Sequence, residues 1–405
     1  MDLDDLLEPF QRRGVDLGLE RLQAALAEGD NPQQTFRAVQ VAGTNGKGSI
    51  CTFLQTILRC AGWRVGSYRS PHLVSWCERI QLHEGWIEPS QLRSDLQRWQ
   101  PIARRHDLTP FELLTAAAFD RFARSQLDLV ILEVGLGGRL DATTIHPQRS
   151  LIGMASIGLD HREHLGDTLA LIAGEKAGVM SPGAVVFSAP QEQSVAAVLQ
   201  QEAERRDCRL HWLDPLAAVE EGGPRLGLAG HWQRSNAAVA AAMARALGTG
   251  SRPVGEAAIL EGLATAHWPG RLERRQWHGR PLWIDGAHNP PAAQALGTEL
   301  RGLAGDRVPP RRWLLGMQRH KQAPEMLEAL LQPGDQVRIV PIPGHRSWQR
   351  GELIEERPAL GSQLADSTGM EADLDWLTSG SGAQPVIAGS LHLLGEVIPW
   401  LDPSS

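Results

Sequence analysis

The amino-acid sequence predicts an α/β protein, with a mostly parallel sheet in its larger N-terminal part and a smaller α/β domain after it. From residue 37 onward, short β-rich runs alternate with segments of helical periodicity, as in a sheet covered by helices. A glycine-rich stretch with a lysine at its tip follows the first of these runs. At 405 residues, the chain is too long for one ordinary domain and suits two or three.

The predicted elements of the N-terminal part follow one another in order. Its predicted strands are RAVQVA (37–42), WRVGSY (63–68), LDLVILEVG (127–135), SLIGMASIG (150–158) and AVVFSA (184–189). Its predicted helices include SICTFLQTILRCAG (49–62), FELLTAAAFDRFARSQ (111–126) and EQSVAAVLQQEAERRD (192–207). In an open sheet of this kind, ligand-binding loops follow the carboxyl ends of the strands.

A second, smaller domain is predicted after Pro269 and Gly270, which interrupt regular secondary structure. Its predicted strands are PLWIDGAHN (281–289), RRWLLGM (311–317), QVRIVPI (336–342) and QPVIAGS (384–390), with helical stretches such as APEMLEALLQ (323–332) between them. We therefore predict domains over residues 1–270 and 271–405, the second a Rossmann-like α/β domain.

The stretch VAGTNGKGS (41–49) predicts a phosphate-binding loop of variant type. Such a loop needs backbone N–H groups facing an anion, a lysine within reach and a helix N-terminus behind them. Lys47 can neutralise phosphate oxygens, and Ser49 can cap the helix or meet a magnesium ion. The stretch departs from a strict Walker A motif, because Val41 occupies the first glycine position and Gly48 separates Lys47 from Ser49. A plain strand-to-helix turn needs no lysine, so we interpret the stretch as a nucleotide site and the N-terminal part as a P-loop-type ATPase domain.

Polar residues also follow two later strands. Glu133 lies near the end of LDLVILEVG, and Asp141 comes after the glycines that follow it. A carboxylate at a strand end beside a phosphate loop is placed to hold magnesium, directly or through water. His161 follows the next strand and is a candidate ligand at the same edge, although a lone histidine is more often a surface residue. From composition alone, Lys176 is expected to be a solvated helix lysine.

At the start of the second domain, WPGRLE places Arg271 where closure of the domains could bring it onto phosphate. The guanidinium group of arginine stays charged, and its paired N–H donors match the spacing of phosphate oxygens. The stretch IDGAHNP follows a strand with Asp285, His288 and Asn289. Each alone is compatible with ordinary loop chemistry, but together they suggest a nucleotide held between two domains.

Composition excludes several classes of function. The net charge of -7 gives no global basic field, so nucleic acid is not expected as a partner. The four cysteines lack C-x-x-C spacing and fit a reducing cytoplasm. The opening MDLDDLLEPFQRRG lacks the features of a secretory signal, and no apolar run approaches the roughly 18 residues of a membrane helix. We expect a cytoplasmic protein that does not attach to a membrane.

Taken in order, these stretches resemble the folylpolyglutamate synthase and dihydrofolate synthase family of the Mur ligase superfamily. The resemblance runs from about residue 17 to 398 and rests on LGLERLQAAL, VAGTNGKGS, SPHLVSWCERI, FELLTAAAF, LEVGLGGRLDAT, SIGLDH, EKAGV, WPGRLE, DGAHNP and AGSLHLLGEV. It implies a Mur-ligase-type ATP-binding domain over 1–270 and a glutamate-ligase domain over 271–405. A monomer is the default expectation.

The resemblance implies an ATP-dependent amide ligase that uses Mg²⁺. The carboxylate of a pteroate or folate would attack the γ-phosphate of ATP to give an acyl phosphate and ADP. The amino group of L-glutamate would then displace phosphate. Both steps depend mainly on positioning and on charge neutralisation.

The resemblance also implies roles for individual residues. The catalytic residues would be Lys47, Glu133, His161, Lys176 and Arg271. Magnesium would be held by Ser70, Glu133 and His161. ATP would contact Asn45, Gly46, Lys47, Gly48, Ser49, Asn236, Arg271, Asp285 and His288. The pterin end of the acceptor would contact Phe111, Glu112, Thr115, Leu140, Asp141 and Ala142. Lys176 matches the lysine that the family carbamylates with CO₂, which turns a cation into an anion that can orient the metal.

Some positions and functions stay open. Trp232 stands where the family pattern H-Q-x-x-N-A has histidine, which leaves the adenine contacts undefined. A Mur peptidoglycan ligase is expected to carry a UDP-sugar domain before the loop, whereas 42 residues precede Gly43. A regulatory nucleotide-binding module would not need Lys176, Arg271 and DGAHN together. Within the family, a monofunctional dihydrofolate synthase or folylpolyglutamate synthase is the alternative to the bifunctional enzyme that we expect, acting on dihydropteroate and reduced folates.

Overall fold

The computed structural model describes residues 3–7, 10, 16–249, 252–303, 309–380 and 384–401. The opening stretch in which the sequence shows no secretory signal falls partly outside these residues. The chain divides into two compact units, Met1–Gly227 with Gln233–His267, and Leu228–Trp232 with Trp268–Ser405. The functional domains over 1–270 and 271–405 stay our proposal.

The first unit is built on a mostly parallel sheet. Among the described residues, its strands are β1 (Ala38–Ala42), β2 (Val65–Tyr68), β3 (Ile80–Gln81), β4 (Leu129–Glu133), β5 (Leu151–Met154), β6 (Val185–Ser188) and β7 (Arg209–Trp212). Their spatial order is β3-β2-β4-β1-β5-β6-β7, and only β3 is antiparallel to its neighbour. The sequence did not predict β3 and β7, because β3 has two residues and the edge strand β7 is largely exposed.

Helices cover both faces of this sheet. They are α1 (Asp4–Leu7), α2 (Glu20–Glu28), α3 (Lys47–Cys60), α4 (Pro89–Arg105), α5 (Pro110–Ala123), α6 (Arg162–Leu165), α7 (Leu169–Ala177), α8 (Gln193–Arg205), α9 (Gln233–Leu247) and α10 (Glu256–Thr265). Helix α3, which follows the phosphate loop, is buried along most of its length and packs against α9 and α10. A methyl group at Gly262 of α10 would lie 2.4 Å from the Ile57 Cα, so this close approach requires glycine.

The register of the central strands determines which loops meet. Val41 of β1 pairs with Glu133 of β4, and Ala42 pairs with Met154 of β5. All three strands run in parallel and end at the same level. The loops that follow β1, β4 and β5 therefore lie at one edge of the sheet, which is where open α/β sheets bind ligands.

The second unit contains a smaller α/β sheet. Within the described part of the chain, its strands are β8 (Glu273–Trp277), β9 (Arg280–Ile284), β10 (Arg311–Leu315), β11 (Gln336–Ile339), β12 (Leu364–Asp366) and β13 (Gln384–Ala388), and its helices are α11 (Pro290–Leu303), α12 (Ala323–Leu330), α13 (Arg350–Glu356), α14 (Met370–Thr378) and α15 (Leu391–Val397). The order is β12-β11-β10-β13-β9-β8, with β8 antiparallel to β9. The α/β class is confirmed, and the four predicted strands are present as β9, β10, β11 and β13. The sequence did not predict β8 and β12. The sequence of β8 is ERRQW and β12 has three residues, so neither forms an apolar run.

Two further expectations concern membranes and disulfides. In the described ranges, no helix is long and apolar enough to cross a membrane. The thiols of Cys51, Cys60, Cys77 and Cys208 are all free.

Candidate active site

The loop after β1 has the shape of a phosphate cradle. Gly43 and Gly46 adopt φ angles of 133° and 99°, which side chains rarely tolerate. A Cβ atom at residue 46 would also lie 2.3 Å from the Asn236 Oδ1 atom. The Asn236 Nδ2 group in turn donates a hydrogen bond of 2.9 Å to the Gln233 Oε1 atom. The turn between β1 and α3 is therefore packed tightly against the first turn of α9.

The backbone amides of this loop fall into two groups. The amides of Thr44 and Asn45 donate to the Ser156 carbonyl, at 2.8 and 3.2 Å, and fix the loop to the segment after β5. Within α3, the first bond between turns runs from the Ile50 amide to the Gly46 carbonyl. Amides in the first turn of a helix have no acceptor within the helix and suit an anion. The predicted phosphate-binding residues 46–49 coincide with this second group.

Two lysines converge on one carbonyl of the loop. The Lys47 Nζ atom donates to the carbonyls of Gly43, at 3.2 Å, and Thr44, at 3.1 Å. The Lys176 Nζ atom donates to the same Gly43 carbonyl at 3.0 Å. The side chain of Lys176 is only 4% exposed, so the expectation of a solvated helix lysine was wrong. The chain contains three lysines, at positions 47, 176 and 321, so two of the three meet at this loop.

Glu133 is a buried carboxylate at the end of β4, in the strand that neighbours the loop-bearing β1. Burial lowers the pKa of the Arg69 and Arg79 guanidinium groups, and the nearby Glu133 carboxylate opposes that shift. Burial, and after it the Glu133 charge, raises the pKa of the Cys51 thiol, which keeps that thiol neutral. The Glu133 carboxylate is therefore buried near the guanidinium groups of Arg69 and Arg79.

Arg69 is a residue of this region that the sequence interpretation missed. Its Nη1 atom donates to the Thr52 Oγ1 atom at 2.8 Å, and its Nη2 atom donates to the Gln55 Oε1 atom at 2.5 Å. These contacts tie the segment that enters Ser70 to helix α3. A single arginine after a strand carries no sequence signal of burial, although its place directly before the SPHL motif could have drawn attention to it.

The segment after β5 is joined to the phosphate loop. The Thr44 Oγ1 atom donates to the Gly158 carbonyl and accepts from the Gly158 amide, both at 3.1 Å. His161 begins the short helix α6 in a left-handed conformation, with a φ of 49°. Its imidazole nitrogens lie 3.9 Å from carboxylate oxygens of Asp160 and Glu163. Among the described residues, no group of three or more His, Cys, Asp or Glu side chains could hold a metal ion by itself.

The residues predicted to contact the acceptor lie around the loop after β4. The Phe111 ring packs against Gly135, where a Cβ atom would lie 2.7 Å from the Phe111 Cζ atom. Glu112 and Thr115 make internal contacts: the Glu112 carboxylate accepts from the Thr109 amide at 2.8 Å, and the Thr115 hydroxyl donates to the Phe111 carbonyl at 2.8 Å. Leu140 is exposed and Ala142 is buried.

Asp141 is also engaged within its own loop. Its Oδ2 atom accepts from the amides of Gly135 and Leu136, at 2.9 and 3.0 Å. Its Oδ1 atom accepts from the Thr143 amide at 3.0 Å and from the Thr143 hydroxyl at 2.5 Å. Burial raises the pKa of this carboxyl, and these hydrogen bonds oppose the shift. The geometry gives Asp141 an internal role, and its contact with an acceptor stays a prediction.

In the second unit, the predicted polar residues form a local group. The Asp285 carboxylate accepts from the amides of Leu272 and Ala287, at 2.7 and 2.8 Å. Burial raises the pKa of Asp285, and the Arg271 guanidinium opposes that shift. A Cβ atom at Gly286 would lie 2.4 Å from the Arg271 Nη1 atom. The His288 Nδ1 atom is 2.8 Å from the Gly286 carbonyl, so Arg271, Asp285 and His288 surround one turn.

Comparison with known proteins extends these observations to nearly the whole chain. The family model of the dihydrofolate synthetase C-terminal domain matches residues 271–400. Dihydrofolate synthetase of Saccharomyces cerevisiae is 33% identical over 411 residues, which cover 96% of this chain and 92% of the yeast protein.

Two solved structures share the fold over a similar extent. Escherichia coli FolC in complex with DHPP and ADP has a TM-score of 0.86 at 28% identity, covering 98% of this chain and 97% of that one. The bifunctional folylpolyglutamate synthase/dihydrofolate synthase from Yersinia pestis, complexed with AMPPNP and Mn ion, has a TM-score of 0.83 at 29% identity, covering 98% and 96%. With the fold and the loop motifs in common over almost its full length, the chain belongs to the folylpolyglutamate synthase and dihydrofolate synthase family.

Proposed function

We propose that this chain is an ATP-dependent ligase that joins L-glutamate to dihydropteroate, giving dihydrofolate, and to reduced folates and their polyglutamates. The observation that carries the proposal is the convergence of the Lys47 and Lys176 ammonium groups on the Gly43 carbonyl, beside the strand that ends in the buried Glu133. A phosphoryl group with several negative charges explains the position of the Lys47 ammonium group in this turn. Lys176 contacts the same carbonyl and is the lysine to which the family resemblance assigns carbamylation.

The amides of residues 46–49 and the Lys47 ammonium bind and neutralise the phosphates of ATP in this proposal. An acceptor carboxylate oxygen attacks the γ-phosphorus, and the bond from that phosphorus to the bridging oxygen of ADP breaks. The glutamate amino group then attacks the acyl carbon, loses a proton and expels phosphate. Positioning and fixed charge account for most of the rate in such transfers.

A divalent metal fits the residues at this edge of the sheet. Ser70, Glu133 and His161 would hold it, and a hydroxyl, a carboxylate and an imidazole are ligands that divalent ions accept. The buried Glu133 carboxylate is the fixed charge of this set. When bound, the ion neutralises charge on the transferring phosphoryl group. The Yersinia pestis relative carries manganese, and we propose Mg²⁺ for this chain.

Other assignments follow the resemblance and form part of the proposal. The contacts to ATP come from Asn45 and Asn236 of the first unit and from Arg271, Asp285 and His288 of the second unit. The region that contacts the pterin end of the acceptor consists of Phe111, Glu112, Thr115, Leu140, Asp141 and Ala142. Some of these residues contact the acceptor through their backbone atoms, and others hold neighbouring groups in position. We expect a cytoplasmic monomer whose partners are small molecules.

The purified chain should release phosphate from ATP only when both an acceptor and L-glutamate are present. Dihydropteroate and a reduced folate monoglutamate should each serve as acceptor, and mass spectrometry should show each product heavier by one glutamate residue. The yeast relative is named for the first activity and the Yersinia pestis relative for both. If only one acceptor is used, the chain is monofunctional. If neither gives product, the ligase proposal is wrong.

A further inference from the structure

A polar side chain lies in the middle of the central strand. Gln40 of β1 is fully buried, and both of its strand neighbours, Val39 and Val41, are apolar and buried. Its Nε2 atom donates to the hydroxyls of Thr143 and Thr144, at 2.8 and 3.0 Å. A buried amide is unfavourable unless its hydrogen bonds are made, so its presence in a core strand calls for partners of this kind.

One arm of contacts leads from Gln40 to the loop after β4. The Thr143 hydroxyl donates to Asp141, which holds the amides of Gly135 and Leu136. The Thr144 hydroxyl donates to the Gly138 carbonyl at 2.7 Å. This loop begins directly after the strand that carries Glu133. The arm therefore fixes the backbone that follows the proposed metal ligand.

The other arm leads from Gln40 to the end of helix α7. The Gln40 Oε1 atom accepts from the Arg149 Nη1 atom at 2.6 Å, and the same nitrogen donates to the Val179 carbonyl at 2.7 Å. The Arg149 Nε atom donates to the His146 carbonyl at 2.7 Å. Val179 lies three residues beyond Lys176. This arm therefore fixes the chain just after the helix that carries the buried lysine.

The two arms meet again beside the active site. A Cβ atom at Gly138 would lie 2.7 Å from the Lys176 carbonyl oxygen, and the Arg139 amide donates to the Glu175 carbonyl at 2.9 Å. The loop after β4 and the last turn of α7 are thus in direct backbone contact. Gln40 bonds directly to the loop after β4 and is connected to the chain after α7 through Arg149.

We propose that Gln40 and Arg149 are positioning residues, which hold the loop after β4 against the end of α7 so that Glu133 and Lys176 keep their places around the phosphate loop. The catalytic part of this inference rests on the proposed function. The geometric part does not, because it concerns the order of two segments in the protein without substrates.

The test uses the full chain and two kinds of variant. Gln40→Met removes all three hydrogen bonds of the Gln40 side chain with little change in volume. Thr144→Val removes the two hydrogen bonds of the Thr144 hydroxyl, which belong to the first arm. Gln33→Met is the matched control, because Gln33 is also buried and its side chain donates a hydrogen bond to the Asn31 side chain. Gln33 precedes the N-terminal end of β1, whereas the phosphate loop follows its C-terminal end. If Gln40→Met does not fold, Thr144→Val decides the question.

Two measurements are compared for folded protein. Without substrates, amide hydrogen exchange in peptides spanning 133–146 and 172–180 should become at least about 10-fold faster in Gln40→Met, and in Thr144→Val for the first peptide. In the ligase assay, kcat should fall about 10-fold or more while the KM for ATP stays within about two-fold, because displacement of reacting groups by about 1 Å can reduce rates 100-fold. The Gln33→Met control should match the wild type in both.

A purely structural role for the network predicts another pattern. Gln40→Met would then lower the melting temperature, but kcat per folded molecule and exchange in both peptides would equal those of the wild type, and the inference would be wrong. If the wild-type chain makes no product, the proposed function fails, and the exchange data still decide whether Gln40 orders the two segments.

Discussion

At the scale of single residues, the most informative side chain is Lys176. An ammonium group is strongly hydrated, and its burial requires partners of opposite polarity. Lys176 reaches the Gly43 carbonyl of the phosphate loop from within α7, whereas the chain uses arginine for its surface cations. Only three of the 40 lysine and arginine residues are lysine, and two of the three, Lys47 and Lys176, contact the Gly43 carbonyl.

We predict that Lys176 is carbamylated in the working enzyme. Its neutral amine would add to CO₂, form an N–C bond and lose a proton, which gives an anion able to orient the metal. With ¹³C-labelled bicarbonate, the protein should show a carbamate carbon resonance that disappears in Lys176→Ala. That variant should lose most of its activity, and acetate should restore part of it.

Lys321→Ala is the control, since the resonance should persist in that variant. Two results would contradict the prediction. One is a wild-type spectrum without a carbamate signal at saturating bicarbonate, and the other is full activity of Lys176→Ala without additives.

At the scale of secondary-structure elements, hydrogen bonds and close contacts hold the phosphate loop in place at one edge of the first sheet. The phosphate loop is fixed to the segment after β5 through Ser156 and Gly158. Its turn also packs against α9 at Gly46. These contacts combine backbone groups with the side chains of Thr44 and Asn236, and together they fix the position of the amides at the start of α3.

Gly46→Ala should therefore weaken ATP binding, although it adds only one methyl group. The new methyl group would meet the Asn236 side chain and would require a left-handed backbone conformation. We expect the Kd for ATP, measured by isothermal titration, to rise at least about 10-fold. Gly62→Ala is the matched control, because Gly62 has a φ of 78° but nothing within 4 Å of the new atom. Equal affinities in all three proteins would rule out the proposed role of this turn.

The turn after β4 should make stability depend on pH through His146. Burial lowers the pKa of this histidine to about 4, and its Nε2 atom is 3.0 Å from the Phe36 carbonyl. An unfolded histidine has a pKa near 6.5, so the unfolded chain binds more protons between these values. Stability is therefore present above about pH 6.5 and is lost as the pH falls towards 4.

Between pH 7 and 5, this linkage should reduce the free energy of unfolding by roughly 2 kcal/mol. Urea unfolding of the wild type and of His146→Gln at both pH values measures it, and the variant should lose less stability than the wild type. The same loss in both proteins would show that other groups cause the acid sensitivity.

Some features of the fold and of the candidate site could be predicted from the sequence, and others could not. The apolar runs predicted β1, β2, β4, β5 and β6, because buried parallel strands have a strong local pattern. The strand ends then located Glu133 and the loop around Lys47. The burial of Lys176 and Arg69 and the contacts of Gln40 were not predicted, since they depend on residues that are distant in the sequence and become neighbours only when the sheet forms.

At the scale of the whole molecule, the chain consists of two α/β units, each with its own sheet. The first unit carries the phosphate loop, Glu133 and Lys176, and the second carries Arg271, Asp285 and His288. Similarity to relatives extends over both units. We propose that the acceptor carboxylate takes the γ-phosphoryl group of ATP before glutamate is joined.

Transfer of ¹⁸O tests this claim most directly. Dihydropteroate labelled with ¹⁸O in both carboxylate oxygens is incubated with the enzyme, ATP, Mg²⁺ and L-glutamate, and the released phosphate is analysed by mass spectrometry. We expect one ¹⁸O atom in each phosphate, because one acceptor oxygen becomes the bridge to phosphorus and leaves with it. Phosphate that contains no ¹⁸O, released together with the glutamylated product, would rule out an acyl phosphate intermediate.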